Sequence, residues 1–264
     1  VYKKEEVILQ VENVNLSYDR PILRNVSFNI HNVTRKDVHQ GQIVSLVGRS
    51  GIGKTQLFKI LAGLLKPQTG SVKIGQDLHP VMAGEVGIIP QNYILFNHRT
   101  IIDNLKLGLR GSMDTISDSE KEHLIKDYAQ RFGLLEHLKK YPMQLSGGQR
   151  QRVSIIQQIL TGNRFILLDE PFSGLDPVIK DKVIELLVTI STLHEMNTLV
   201  IVSHDIENSL AISDTAFILA NQEGHEGATI TEVIDLMHMG LAWNPEIKIK
   251  REFQDLVTQI KFRI

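Results

Sequence analysis

Gly48-Arg49-Ser50-Gly51-Ile52-Gly53-Lys54-Thr55 fits the pattern G-x-x-x-x-G-K-[ST], and its flanks say how it is used. Ahead of it, Ile43-Val44-Ser45-Leu46-Val47 is a nearly continuous apolar run, as expected of a buried parallel strand feeding a tight turn. Behind it, Leu57, Phe58, Ile60, Leu61, Leu64 and Leu65 recur at helical spacing, which predicts a helix over 54–65 that Gly63 weakens only slightly. Strand, glycine loop and helix together form an anion cradle. The glycines let backbone N–H groups turn inward, and the helix N-terminus adds positive potential. Lys54 is predicted to reach the β- and γ-phosphates of a nucleotide, and the Thr55 hydroxyl to ligate Mg²⁺.

A second apolar run, Phe165-Ile166-Leu167-Leu168, ends in Asp169-Glu170. Two carboxylates leaving the C-terminal end of a buried strand suit phosphate chemistry: Asp169 to hold Mg²⁺, Glu170 to polarise an attacking water. Working outward, Val7–Val11, Val26–Ile30, Ser71–Gly75, Val86–Pro90, Thr198–Val202 and Ala216–Leu219 read as strands. His31 to Gln40 is polar and is expected to loop outward. From about Leu95 to Leu145 the pattern is helical and more charged. The clearest helix spans Ser119–Phe132, with Ser117 or Ser119 as N-cap and Gly133 as stop. Further helices are expected over Gly148–Leu160 and Asp176–Glu195. Strands and helices alternating at both ends imply a parallel sheet covered by helices, with the middle as a helical insertion.

Composition narrows the function further. Lys and Arg total 29 and Asp and Glu 30, so the net charge of −1 argues against a generally basic nucleic-acid binder. The chain has no cysteine, which excludes disulfide scaffolds, cysteine-ligated zinc and thiol catalysis. No run of 18 apolar residues exists, and Val1–Glu6 lacks the apolar core of a signal peptide, so a membrane role is expected to come through a partner.

Leu145-Ser146-Gly147-Gly148-Gln149, followed by Arg150-Gln151-Arg152-Val153, resembles the signature of the ATP-binding cassette (ABC) ATPases. Its chemistry is intelligible alone: a serine and two glycines opening a helix make a further anion site. The resemblance extends over about Val7–Leu219 with the motifs in order. It implies an α/β fold: a P-loop NTPase core with a mostly parallel sheet, an antiparallel β subdomain near the N-terminus, and the α-helical subdomain of about 95–145 inserted. Residues 1–220 would form the ATPase domain and 221–264 a tail. The tail's terminal amphipathic helix carries Phe253, Leu256, Val257 and Ile260 on one face, to pack back on the domain or to dock regulators.

Tyr18 is similar to the family's adenine-stacking aromatic, and Gln91 to the glutamine that senses Mg²⁺ and water. Ser173-Gly174-Leu175-Asp176 resembles the loop that communicates across the dimer, and His204 the switch histidine contacting γ-phosphate. Four departures stand out. Thr55 replaces a commoner Ser, and Gly174 a commoner Ala. Gln157 stands where Arg is frequent, so a supporting salt bridge is expected to be missing. The 31–40 stretch is longer than the usual turn.

The resemblance implies an ATP- and Mg²⁺-dependent hydrolase working as a head-to-tail dimer. Ser146, Gly147, Gly148 and Gln149 of one copy would complete the site of the other, and Glu170, His204 and Gln91 would serve the reaction. Separate transmembrane permease subunits would be its partners, with a solute-binding protein reached through them and no nucleic acid. That implies a peripheral position on the cytoplasmic face of the cell membrane. Phe96, Ile101, Ile102 and Leu105 are candidates for a groove receiving a coupling helix, or for local core. Leu241–Glu246 resembles the tail of importer ATPases for small anions, so import is the first expectation. A lipid-handling or export system, and an ABC-type ATPase of a non-membrane assembly, are the alternatives.

Overall fold

The computed structural model describes residues 2–35, 40–109 and 117–264. In chain order the strands are β1 (Tyr2–Ser17), β2 (Pro21–Arg35), β3 (Gln42–Val47), β4 (Thr69–Ile74), β5 (His79–Pro80), β6 (Gly87–Ile89), β7 (Phe165–Asp169), β8 (Thr198–Ser203), β9 (Thr215–Asn221) and β10 (Ala228–Asp235). The helices are α1 (Lys54–Leu61), α2 (Ile101–Gly108), α3 (Asp118–Arg131), α4 (Gly147–Leu160), α5 (Pro177–Thr192), α6 (Ile206–Ala211) and α7 (Arg251–Arg263).

All ten strands join one sheet in the order β5-β4-β1-β2-β10-β9-β3-β8-β7-β6. β3 is parallel to both β8 and β9, and β8–β7–β6 continue parallel, with Ile43 opposite Leu199 and Leu168 opposite Ile201. β3 and β8 are buried throughout, which is why they read as unbroken apolar runs. β1 pairs antiparallel with β2 and β4, giving the antiparallel N-terminal part. The architecture is that of a P-loop NTPase α/β fold. α1 packs with the β1–β2–β4 strands and one sheet face in a first core around Leu57, Phe58 and Leu61. α2 to α5 cover the other face in a second core containing Ile101, Leu105, Ile125, Ile156 and Leu187.

Local chemistry sets the helix ends. Ser117 and Ser146 form capping boxes with Glu120 and Gln149, each satisfying N–H groups the helix cannot. Asp176 caps α5 through its side chain. Gly133 lies at φ +63° just beyond α3.

Three expectations change, and two open alternatives are resolved. Gly63 ends α1: it adopts φ +69°, and a Cβ there would stand 2.7 Å from the Met82 backbone, so the helix stops at Leu61. His31–Arg35 continue β2 against β1 because Val33 is buried, Gln42 donates to the His31 carbonyl, and Arg35 pairs with Asp214; positions 36–39 lie outside the described residues. The stretch beyond Asn221 contributes β10, paired along β9 and touching β2 at Ala228–Leu23, so it links the two halves of the sheet. α7 covers a third core with Phe253, Val257 and Ile260 buried. Finally, Ile101 and Leu105 are fully buried core and Ile102 is half-buried against it, so of the four candidate groove residues Phe96 alone is exposed.

Candidate active site

β3 delivers the chain to Gly48 and α1 takes it away at Lys54. The loop closes tightly because its glycines meet demands no other residue meets. Gly51 and Gly53 lie at φ +78° and +111°, and a Cβ on Gly48 would be 2.4 Å from the Leu219 carbonyl oxygen. Arg49 and Ser50 are exposed, as is Thr55 in the first turn of α1. Lys54 is buried at 6% exposure. Its ammonium donates to the Gly48 and Arg49 carbonyls at 3.0 and 2.9 Å, folding the lysine back along its own loop. The same Nζ lies 3.4 Å from Glu170 Oε1.

β7 and β8 end beside it. Asp169 closes β7 half-buried, and its Oδ1 is buried without a partner. Burial raises the Asp169 pKa, and the adjacent Glu170 adds to this while Lys54 and Lys59 oppose it. A buried, orphaned, charge-stressed oxygen beside a phosphate loop fits a divalent cation, with the exposed Thr55 hydroxyl as a second oxygen donor. Glu170 adopts φ +51°, rare for a side chain with a Cβ, while its N–H still donates to the Val202 carbonyl. Its Oε2 accepts from Ser203 Oγ at 3.1 Å and from the His204 N–H at 3.2 Å, with His204 Nδ1 at 2.7 Å.

Gln91 donates to Ser173 Oγ at 3.2 Å, joining the segment after β6 to the loop after Glu170. Gly174 in that loop lies at φ +69°, so glycine is favoured there over the alanine the family pattern suggests. Tyr18 sits in the β1–β2 turn, 60% exposed, its hydroxyl 3.3 Å from Gln56 Oε1 on α1.

The signature residues stand elsewhere. Ser146 and Gln149 bond each other, and Gln149 Nε2 lies 2.9 Å from His137 Nε2, so their described hydrogen bonds stay within the helical region. Ser146 and Gly147 are exposed, and a Cβ on Gly147 or Gly148 would meet nothing within 4 Å. The α4 N-terminus is thus open to an outside phosphate. Gln157, where an arginine was the commoner residue, donates instead to the Asn104 carbonyl of α2 at 2.9 Å.

Three groups were not singled out from sequence. Ser203 donates to Glu170 and accepts from the Asp205 N–H. Gln56 meets Tyr18. Lys180 on α5 pairs with Asp205 at 2.8 Å, beside His204. Ser203 could have been found as the last residue of a buried strand, next to the histidine.

A phosphate-loop sequence between strand and helix, a strand-end acid pair, a strand-end histidine and a separate open helix N-terminus carrying Ser146-Gly147-Gly148 fit an ATP-binding-cassette ATPase domain. The ABC transporter family model matches residues 30–173, and the chain belongs to that family. It is 36% identical over 221 residues to the sulfate/thiosulfate import ATP-binding protein of Pectobacterium atrosepticum, covering 80% of this chain and 63% of that one. It is 30% identical over 219 residues to the bicarbonate transport ATP-binding protein of Synechocystis, covering 83% and 76%. The chain therefore spans under two thirds of the length of the sulfate/thiosulfate relative. Among solved structures, cbiO1 of Clostridium perfringens, part of an ABC transporter complex, superposes with a TM-score of 0.73 at 23% identity, covering 97% of this chain and 100% of that one. That likeness establishes the fold.

Proposed function

We propose that this chain is the ATP-hydrolysing subunit of an ABC importer, working as a head-to-tail pair on separate transmembrane permease subunits. The observation that carries the hydrolytic reading is the cluster of Lys54, Asp169, Glu170 and His204 at the C-terminal ends of β3, β7 and β8. Import rests on the similarity to sulfate/thiosulfate and bicarbonate ATP-binding proteins, and a small anion is the cargo class this favours. No helix among the described residues is long and apolar enough to cross a membrane, so attachment to the cytoplasmic face runs through the permease. A solute-binding protein would feed that permease.

In the reaction, the Tyr18 ring stacks on adenine and the loop from Gly48 to Thr55 wraps the phosphates. Lys54 exchanges its two loop carbonyls for β- and γ-phosphate oxygens. Thr55, Asp169 and Gln91 would hold Mg²⁺, which when bound neutralises charge on those oxygens. Glu170 accepts the proton of the attacking water as general base, and His204 steadies Glu170 and the γ-phosphate. Ser146, Gly147, Gly148 and Gln149 of a second copy donate to the γ-phosphate from outside, since among the described residues they bond into their own helical region.

The test is light scattering of Glu170→Gln with and without ATP, together with capture of the tagged chain from detergent-solubilised membranes of its source. An ATP-dependent dimer and a stoichiometric multi-span partner are expected. A chain that stays monomeric with ATP would overturn the paired site, and one found only with a non-membrane assembly would overturn transport.

A further inference from the structure

We infer that α7, at the C-terminal end of the chain, is a positioning element for the phosphate loop and sets the affinity for ATP. The inference rests on ATP binding at residues 48–55 and not on pairing or transport.

Three observations converge. Val47, the last residue of β3 and the one directly before Gly48, is fully buried in the same apolar cluster as Phe253, Val257 and Ile260 of α7. The floor from which the loop springs is thus shared with this helix. Next, the far end of α7 reaches the loop's outer limb: Phe262 and Ile264 line a cleft of about 260 Å³ together with Arg49 and Ile52. Last, that end is anchored. Arg263 Nη1 donates to both carboxylate oxygens of Glu232 on β10, at 3.0 and 2.9 Å, tying the final turn to the sheet.

The physical consequence follows from how a phosphate loop works. Its N–H groups bind only if they converge on the phosphates, because a hydrogen bond weakens steeply as its distance and angle depart from ideal. Gly48 already has the Leu219 carbonyl where a Cβ would go, so the loop cannot settle inward on that side. Packing behind Val47 and at Ile52 adds to the Lys54 hydrogen bonds in holding its pitch. Buried side chains transmit such strain because interiors are close-packed. The residues of α7 touch no nucleotide; they act through Val47 and the loop.

The test is equilibrium ATP binding by the 264-residue chain, with KM and kcat alongside. Ile260→Ala should weaken ATP binding on the order of tenfold, about the loss of one charge-assisted hydrogen bond, and raise KM to match, with kcat at saturating ATP within about twofold. Ile260→Val, which keeps most of the volume, should restore affinity. Ile125→Ala, an equally buried site in the helical core, should lower the thermal midpoint without moving affinity. Arg263→Glu, an exposed change of little consequence for stability, should weaken ATP binding severalfold, and adding Glu232→Arg should restore it. Unchanged affinity in Arg263→Glu and Ile260→Ala overturns the proposal, as does an equal loss in Ile125→Ala. If Ile260→Ala does not fold, Arg263→Glu and its charge-swapped partner decide alone.

Discussion

The two oxygens of Glu170 have different partners: Oε2 lies 2.7 Å from His204 Nδ1, and Oε1 lies 3.4 Å from Lys54 Nζ. One carboxylate thereby links the ends of β7 and β8 to the phosphate loop. Lys54 also holds two loop carbonyls, so the group proposed to bind phosphate is connected to the group proposed to activate water. The position of the Glu170 carboxylate depends on both neighbours.

Glu170→Gln keeps the shape and removes the base. ATP binding should persist while turnover falls by about 10²–10⁴, the range general-base loss gives. Single-turnover assays with radiolabelled ATP measure it. Ser203→Ala, which removes one donor to the same oxygen, should slow turnover far less.

Lys54→Ala removes a charged donor from the phosphates. Hydrogen bonds to charged groups are worth about 1.5–3 kcal/mol, so ATP affinity should fall by roughly 10- to 100-fold. Isothermal calorimetry reads this directly, and affinity equal to the parent's would remove the loop assignment.

Asp214 and Arg35 form a buried pair at 2.7 Å, with side chains 2% and 4% exposed, and Trp243 lies over the guanidinium. Burial pushes the Asp214 pKa from 3.8 to about 6 despite Arg35, the Ile43 N–H and Trp243, which all favour the ionised form. A raised carboxylate pKa means the folded chain holds the proton more tightly than the unfolded one. This group's contribution to stability is therefore greatest below pH 3.8, declines as pH rises to about 6, and is flat above. Urea unfolding of the parent and Asp214→Asn at several pH values should show that slope in the parent alone. Arg35→Met, which leaves Asp214 buried without its partner, should cost about 3–5 kcal/mol at neutral pH.

Asn104 is fully buried on α2 and ties down the segment that carries Phe96. Its amide donates to the carbonyls of Phe96, Arg99 and Thr100, and its Oδ1 accepts from the Phe96 N–H. Asn104→Leu strands those groups and should destabilise by about 1–3 kcal/mol. Hydrogen exchange should rise first at residues 96–100.

The candidate site was legible because its pattern is short-range in sequence. A glycine loop must follow a buried strand, and an acid pair must end one, so 48–55 and 169–170 carry their meaning in adjacent residues. The exposed apolar positions were harder. Ile101 and Leu105 share one helical face, and the sequence cannot say whether that face meets a partner or the chain's own α4; packing against α4 and the core decides it. Gly63 shows the same limit. A glycine in a helical pattern is tolerated or terminal depending on what approaches it, and here the Met82 backbone does.

By itself, then, the amino-acid order determined the phosphate loop, the acid pair, the signature helix and the alternation that makes a parallel sheet, because each follows from local spacing and backbone chemistry. Tertiary structure alone decided that residues 228–235 bridge the two halves of the sheet and that α7 shares an apolar cluster with Val47. It also decided that Ser203 and Lys54 both hold Glu170. Those relationships join residues tens to hundreds of positions apart, and only the shared burial of apolar faces and the pairing of desolvated charges brings them together.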